Sequence, residues 1–332
     1  MSPETQQTVD DLGTCVEANL GFLAPPESTW HPTDFLPSMG DGWQDALAGF
    51  RARCAGLSDD LLVVLCGNTI TEEALPAYHS WLSNLEGGLD PTGVGEAPLC
   101  RWTRYWVADE QKHGSVLSRF LYLSGRVNMN EVESTVQSLI RNGFDASTGR
   151  DMHKGFVYTS LQEAATRIAH GNVAKLARKE GCDDLGRMLE AITADEARHE
   201  TAYQRFVSRL LELDGDRCVV AMAGMVERGI VMPGRKMDED AGTGSLFSVF
   251  SAVAQRLRVY TTRDYVEIID RNLRRWNIFE KTFQGDEANR AQERLHAFLG
   301  RLKRLADRAE RQSAIRSCAE LRWLMPARLA TA

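Results

Sequence analysis

Several features are missing from this sequence of 332 residues, and each absence excludes a class of protein. No apolar run approaches the roughly 20 residues that cross a bilayer; the longest obvious run is 61–66, so an integral membrane protein is not expected. The seven cysteines show no CxxC spacing, which argues against a disulfide framework and a zinc site. The start, 1–11, has neither a basic segment nor an apolar stretch, so we expect no targeting signal and a cytoplasmic location.

The charge is moderate in total and uneven along the chain. Net charge is -7 at pH 7, with 43% hydrophobic and 26% charged residues, as in a globular protein. The segment 271–332 has 14 Lys or Arg and 7 Asp or Glu, so it carries +7 and the preceding residues carry -14. General nucleic-acid binding is therefore disfavoured. The basic segment is either a solvated helix face or a surface for one acidic partner.

Helical periodicity dominates after about residue 45. The first 45 residues hold five of the ten prolines, which predicts an extended lead-in with short helices. We expect one all-α domain over 1–332, with an antiparallel helical bundle over 46–315 and no assignment for 316–332. Apolar spacings of three and four predict helices over 58–86, 99–125, 130–142, 157–181, 183–212, 216–229, 245–257, 262–275 and 285–315.

A six-residue pattern, ADEx[KR]H, occurs twice, at 108–113 and at 194–199. Each copy places a glutamate and a histidine three positions apart, which is one face of a helix. These pairs are Glu110 with His113 and Glu196 with His199. A third Glu-x-x-His match at 293–296 lacks the preceding Ala-Asp, and we assign it to the surface of the last helix.

Two further glutamates lie at similar distances upstream of the two copies. Glu72 is 38 residues before Glu110, and Glu163 is 33 residues before Glu196. Four carboxylates facing one cavity repel each other unless cations offset their charge. Four carboxylates with two imidazoles suit iron or manganese better than copper or structural zinc. The sequence therefore predicts a two-metal site in a four-helix bundle.

The chain resembles the soluble acyl-[acyl-carrier-protein] desaturases, typified by the plant stearoyl enzyme. The resemblance implies a ferritin-like di-iron four-helix core within a larger helical bundle, and a homodimer. It implies an oxidoreductase of fatty acid biosynthesis that introduces a cis double bond into an acyl chain on acyl carrier protein. Its cofactor would be two irons (Fe2+/Fe3+), with O2 as co-substrate and ferredoxin as electron donor. The segments that carry the likeness are 70–76, 110–114, 121–127, 158–163, 194–203 and 251–257.

The resemblance also implies roles for single residues. Glu110 and Glu196 would bridge the two irons. Asp195, next to a ligand, is expected to hold a liganding imidazole in its correct tautomer. Trp30 resembles a tryptophan on an electron path to the irons, with a buried indole as the alternative. The six expected metal ligands are Glu72, Glu110 and His113 for one iron and Glu163, Glu196 and His199 for the other.

Thr166 resembles a threonine that assists proton or oxygen handling; a hydroxyl bonding its own helix is the alternative. Trp81 stands where the family has a methionine, so acyl chain length and double-bond position stay open. The residues expected to bind the acyl chain are Trp81, Asn84, Leu85, Thr148, Gly155 and Phe156.

Three other functions are also compatible with the sequence. An acyl-carrier-protein hydroxylase or oxidase could use the same scaffold, because identical ligands support several outcomes. A non-catalytic, ferritin-like iron-binding protein would lack a deep apolar tunnel beside the metals. A protein-interaction scaffold would have lost the metal altogether.

Overall fold

Four of the described helices carry the predicted ligands, and the other helices pack around them. The computed structural model describes residues 3–38, 40–237, 246–311 and 322–325. Within these residues the only β contact is an isolated bridge between Val127 and Leu324, so the all-α prediction is confirmed. The helices are α1 (Pro3–Asn19), α2 (Trp43–Ala55), α3 (Asp59–Glu73), α4 (Leu75–Leu82), α5 (Pro98–Ser124), α6 (Met129–Asn142), α7 (Met152–Lys179), α8 (Asp183–Leu213), α9 (Gly215–Arg228), α10 (Leu246–Arg256), α11 (Thr262–Arg275) and α12 (Asp286–Arg311).

The start of the chain differs from the expected extended lead-in. Residues Pro3–Asn19 form a helix of 17 residues. Val9, Leu12 and Val16 recur on one face and are buried, and α1 packs against α5 and α8. Pro3 does not oppose this helix, because proline is tolerated in the first turn, where its missing N–H has no partner to lose. The irregular part is confined to residues after Asn19, with short 3-10 helices at Leu20–Phe22 and Pro32–Asp34.

The predicted helix over 58–86 is divided into α3 and α4. Pro76 has no N–H to continue the hydrogen-bond ladder, so α3 ends at Glu73 and α4 begins at Leu75. Ten consecutive residues of α3, Leu61 to Ile70, are buried, because α5, α6, α7 and α10 all pack against this helix. A helix that is apolar on all sides belongs at the centre of a bundle, and Glu72 follows this buried run.

Two glycines allow close packing against α3. A Cβ on Gly114 of α5 would lie 3.2 Å from the backbone of Glu72 and Glu73. A Cβ on Gly67 of α3 would lie 2.3 Å from the ring of Phe250 on α10. Because no side chain separates the backbones at Gly114, α5 approaches α3 closely where both helices carry predicted ligands.

The C-terminal residues that the structure describes anchor the turn between α5 and α6. Trp323 is buried, and its carbonyl accepts a hydrogen bond from the N–H of Asn128 at 2.7 Å. Its indole Nε1 donates to Thr135 Oγ1. The rest of the segment 316–332 lies outside the described residues. None of the described helices combines the length and the apolar character that crossing a bilayer requires.

Asp151 is the N-cap residue of α7, the helix that carries Glu163. Its carboxylate accepts hydrogen bonds from the N–H groups of His153 and Lys154, as an N-cap residue does. Burial opposes ionisation, but the bonds to His153 and to the Lys154 N–H outweigh it, and the pKa of Asp151 is lowered to about 2. A lowered folded-state pKa stabilises the fold above the unfolded value near 4, and this contribution is lost as pH falls through about 2.

We therefore expect Asp151→Ala to lower the free energy of unfolding by about 1 kcal/mol at pH 7, since the cap is lost. Asp151→Asn keeps a capping oxygen and should cost less. The difference between wild type and Asp151→Asn should shrink as pH falls from about 4 toward about 2. Urea unfolding across this pH range tests the prediction, and an unchanged midpoint for Asp151→Ala would rule out the cap.

Candidate metal centre

The structure brings the six predicted ligands together in the bundle interior. Glu72 comes from α3, Glu110 and His113 from α5, Glu163 from α7, and Glu196 and His199 from α8. None of the six side chains is more than 9% exposed. Their ligand atoms form two groups, each with all atoms within 4.8 Å of one another. These groups are Glu72, Glu110, His113 and Glu196, and Glu110, Glu163, Glu196 and His199.

Glu110 lies between the two imidazoles. Its Oε1 is 2.7 Å from His199 Nδ1, and its Oε2 is 2.9 Å from His113 Nδ1. Glu196 Oε1 is 3.4 Å from His113 Nδ1, and Glu163 Oε2 is 3.6 Å from His199 Nδ1. Both Nδ1 atoms and Glu110 Oε1 are buried without a well-formed hydrogen bond. Buried polar atoms without partners are rare, and here they converge on one space, which is compatible with a metal site.

Two aspartates hold the far side of the imidazoles, each on the opposite helix. His113 Nε2 lies 3.2 Å from Asp195 Oδ2, and His199 Nε2 lies 2.9 Å from Asp109 Oδ2. In a neutral imidazole, an Nε2–H that donates to the aspartate would leave the Nδ1 lone pair facing the glutamates, as metal binding requires. Asp195 was expected next to an imidazole, whereas Asp109 was not predicted, although it occupies the same position in the other copy of the repeat.

The carboxyl groups of the site differ in their ionisation. Burial raises the pKa of Glu163 far above its usual value, and Glu110 and Glu196 raise it further. Burial also raises the pKa of Glu72, against the bond from His170. Burial opposes the charge on Glu110, but the two histidines outweigh it and lower its pKa. Cations bound between these carboxylates would offset the burial and the mutual repulsion that disfavour their ionised forms.

Glu72 and Glu163 each have a hydrogen-bond partner that the sequence did not reveal. His170 Nε2 lies 2.8 Å from Glu72 Oε1. Trp106 Nε1 donates to Glu163 Oε1 at 3.0 Å. Each partner comes from a helix other than that of its glutamate. No local spacing in the sequence therefore connects the two residues of either pair. Both contacts fix the direction of a carboxylate that points into the cluster.

Thr166 and Trp30 both lie beside the cluster. Thr166 Oγ1 donates to Glu196 Oε2 at 2.7 Å, and it also lies 3.1 Å from the carbonyls of Gln162 and Glu163 on its own helix. One hydroxyl hydrogen cannot serve all three acceptors at once. Trp30 Nε1 donates to Asp195 Oδ2 at 2.9 Å, and the indole stacks on His113 with ring centres 6.0 Å apart.

A mainly apolar cavity of about 490 Å³ opens beside the carboxylates. Its wall includes the four glutamates of the cluster and Thr166. The apolar part of the wall includes Leu75, Tyr78, Trp81, Phe144, Tyr158 and Phe250. A long apolar molecule bound in this cavity would lie next to the carboxylates that are candidate metal ligands. A ferritin-like iron store does not need such a cavity.

Of the residues expected to bind the acyl chain, the cavity wall includes Trp81 but not the other five. Trp81 packs edge-on against Phe144 and Tyr158, and its Nε1 donates to Thr148 Oγ1 at 2.9 Å. Thr148 therefore contacts the indole instead of the cavity. Leu85, Gly155 and Phe156 are buried in the core, where a Cβ on Gly155 would lie 2.3 Å from Leu85. Asn84 is exposed and donates to the Ser80 carbonyl.

The third Glu-x-x-His match lies on the surface, as predicted. Glu293 and His296 are exposed on α12, and the His296 ring contacts Phe279. This pair belongs to neither group of candidate ligands. The Ala-Asp that precedes the other two copies therefore distinguishes the buried pairs from the surface pair.

Comparisons with known proteins give matches over most of the chain. A fatty acid desaturase family model matches residues 4–325. Stearoyl-[acyl-carrier-protein] 9-desaturase 1, chloroplastic, of Arabidopsis thaliana is 46% identical over 312 residues, covering 93% of this chain and 79% of that protein. The stearoyl-[acyl-carrier-protein] 9-desaturase, chloroplastic, of Solanum tuberosum is 41% identical over 326 residues, covering 98% and 83%.

A solved structure shares the fold. The X-ray structure of DesA2 of Mycobacterium tuberculosis H37Rv, a candidate acyl-ACP desaturase, aligns with a TM-score of 0.50 and 17% identity, covering 86% of this chain and 99% of that one. At this identity the similarity supports the fold alone. The family model and the plant relatives cover most of the chain, and the chain belongs to the fatty acid desaturase family.

Proposed function

We propose that the protein is an O2-dependent acyl-[acyl-carrier-protein] desaturase that introduces a cis double bond into an acyl chain. The observation that carries the proposal is the pair of buried ligand groups that share Glu110 and Glu196 beside an apolar cavity. The plant relatives are named stearoyl-[acyl-carrier-protein] 9-desaturases. A hydroxylase on the same scaffold is the nearest alternative.

We assign two irons to the site, which Glu72, Glu110, His113, Glu163, Glu196 and His199 would hold; Glu110 and Glu196 belong to both groups of candidate ligands. The donor set fits, because the two buried Nδ1 atoms lack a well-formed hydrogen bond and face carboxylate oxygens. Oxygen and imidazole ligands suit iron. When bound, the irons supply, with O2, the oxidising chemistry that an unactivated methylene requires, since no general base can deprotonate it.

The protein's own groups position the substrate and move protons and electrons. The apolar wall binds the acyl chain and excludes water from the methylene that reacts. The Thr166 hydroxyl can hold a proton at Glu196 Oε2, 2.7 Å away. The contact series Trp30, Asp195 and His113 joins a half-buried indole to a ligand imidazole, and we assign it as the entry route for electrons from ferredoxin.

Acyl carrier protein, an acidic partner, fits the positive charge of the segment 271–332. On α11, Arg271 already pairs with Glu200 and Arg274 with Asp270, and both arginines are exposed. We also propose that the protein is a homodimer, that residues 1–332 form a single domain, and that the protein is cytoplasmic. The plant relatives are chloroplastic by name.

Product analysis tests the proposal. Iron-loaded protein is incubated with acyl-[acyl-carrier-protein], O2 and reduced ferredoxin, and the product is located by mass spectrometry. We expect a product two hydrogens lighter, with one double bond. A product heavier by one oxygen would replace the desaturase with a hydroxylase. Iron oxidation without any change in the acyl chain would favour iron storage.

A further inference from the structure

Lys112 lies beside the metal centre without a role in the proposed reaction. Among the described residues, it is the only lysine or arginine that is buried. Its ammonium group forms ion pairs with Asp109 Oδ1 and, at 3.2 Å, with Asp195 Oδ2. It also donates to Thr29 Oγ1 at 2.5 Å and lies 4.7 Å from the centre of the Trp30 ring.

The two aspartates that Lys112 contacts are those that hold the imidazoles. Asp109 faces His199, and Asp195 faces His113. One ammonium group thus joins both supports, although the two aspartates come from different helices, α5 and α8. A buried lysine costs desolvation energy unless it is paired, and here both of its ion pairs are with groups that orient candidate ligands.

Arg198 is the matching residue in the second copy of the repeat. Its Nη2 lies 2.5 Å from Asp195 Oδ1 and 3.7 Å from Asp109 Oδ2. Two cations and two carboxylates therefore form a quartet without net charge. The four glutamates are then left to balance two divalent ions. The cations differ in burial, because the Lys112 side chain is 8% exposed and that of Arg198 is 34% exposed.

We propose that Lys112 is a positioning residue that holds Asp109 and Asp195 against the two imidazoles and, through its charge, raises the reduction potential of the metal pair. This inference rests on the proposed function. A fixed positive charge in a dry interior disfavours the oxidised, more positive state of nearby metals. Arg198 acts in the same direction, but solvent screens its charge more strongly.

The test is an anaerobic redox titration of the iron-loaded protein, followed by optical or Mössbauer spectroscopy. For Lys112→Met we expect the ratio of oxidised to reduced iron at a fixed potential to rise about tenfold, equivalent to a potential lower by about 59 mV for a one-electron step. Arg198→Met should shift the ratio the same way by about threefold. Lys112→Arg keeps the charge and should restore the wild-type ratio to within about threefold.

Arg205→Met is the matched control. Arg205 is also a cation over an aromatic ring, 4.7 Å from the centre of Phe22, and it donates to Asn19. Among the described residues, its hydrogen bond and its ring contact are with Asn19 and Phe22 and not with the quartet, so its variant should keep the wild-type potential. Circular dichroism establishes folding for each variant. If Lys112→Met does not fold, the redox titration of Arg198→Met is the test. An unchanged reduction potential in Arg198→Met would then overturn the proposal.

The two levels of the proposal fail differently. Wild-type protein that takes up no iron would overturn the proposed function and this inference with it. Wild-type protein that takes up two irons, while Lys112→Met keeps its potential, would overturn the inference alone. A higher reduction potential in Lys112→Met also contradicts the inference, because loss of a positive charge should lower it. A Lys112→Arg protein whose potential differs from wild type as much as that of Lys112→Met contradicts it as well, because the positive charge is kept in Lys112→Arg.

Discussion

Replacing Glu110 by alanine is expected to abolish binding of both irons and all measurable desaturation. Glu110 belongs to both ligand groups and contacts both imidazoles. Loss of a residue that only supports a ligand already weakens metal affinity or activity about 10-fold to 100-fold, so loss of a shared ligand should exceed this range. Iron content after anaerobic reconstitution and turnover with acyl-[acyl-carrier-protein] are the measurements.

Two further variants serve as controls for this result. Glu72 belongs to only one group, so Glu72→Ala should still bind one iron. Glu293 is exposed in the third Glu-x-x-His match, so Glu293→Ala should bind two irons and turn over normally. Equal loss of iron in Glu72→Ala and Glu110→Ala would contradict the shared position of Glu110. A folded Glu110→Ala protein with two irons would remove Glu110 from the site.

Trp81→Ala is expected to shift the preferred acyl chain to a longer one. The indole forms part of the cavity wall and stands between the cavity and Thr148, so its removal extends the apolar space. Each buried methylene contributes about 0.8 kcal/mol. Two more methylenes therefore raise kcat/KM for the longer chain about 15-fold relative to the wild-type preferred chain, at 1.36 kcal/mol per factor of ten. Competition between two acyl-[acyl-carrier-protein] substrates measures this ratio directly.

Thr148→Val is the matched control for Trp81→Ala. It removes the hydrogen-bond partner of the indole without opening the cavity. We expect the chain-length preference of Thr148→Val to stay close to that of wild type. An equal shift in both variants would assign the effect to the hydrogen bond, and no shift in Trp81→Ala would place the end of the acyl chain elsewhere.

The convergence of the six candidate ligands could be predicted because the sequence repeats their pattern. Two copies of ADEx[KR]H place glutamate and histidine on one helical face, and the upstream glutamates Glu72 and Glu163 lie at similar distances. The repeat also contains an aspartate and a lysine or arginine, and the contacts of Asp109 and Lys112 were not predicted. Its aspartates and its Lys or Arg also converge, since Asp109 and Asp195 hold the imidazoles and Lys112 contacts both. Local spacing reveals a shared helical face, but it does not reveal which opposite helix that face meets.

The hydrogen-bond partners of Glu72 and Glu163 could not be predicted, because they come from distant segments without a repeated pattern. His170 reaches Glu72 across 98 positions of sequence, and Trp106 reaches Glu163 across 57. The cavity wall presented the same difficulty, because the packing of Trp81 against Phe144 and Tyr158 decides which residues lie behind the indole. The helix Pro3–Asn19 was missed for another reason: prolines in the first 45 residues suggested extended chain, but only Pro3 lies in this helix, in its first turn.

Anomalous X-ray diffraction at the iron edge, from crystals soaked anaerobically in ferrous iron, tests the two-metal centre most directly. The expected result is two iron peaks per chain, one bonded to His113 Nδ1 and the other to His199 Nδ1, with carboxylate oxygens of Glu110 and Glu196 at both. A single peak, or peaks away from these six side chains, would contradict the assignment.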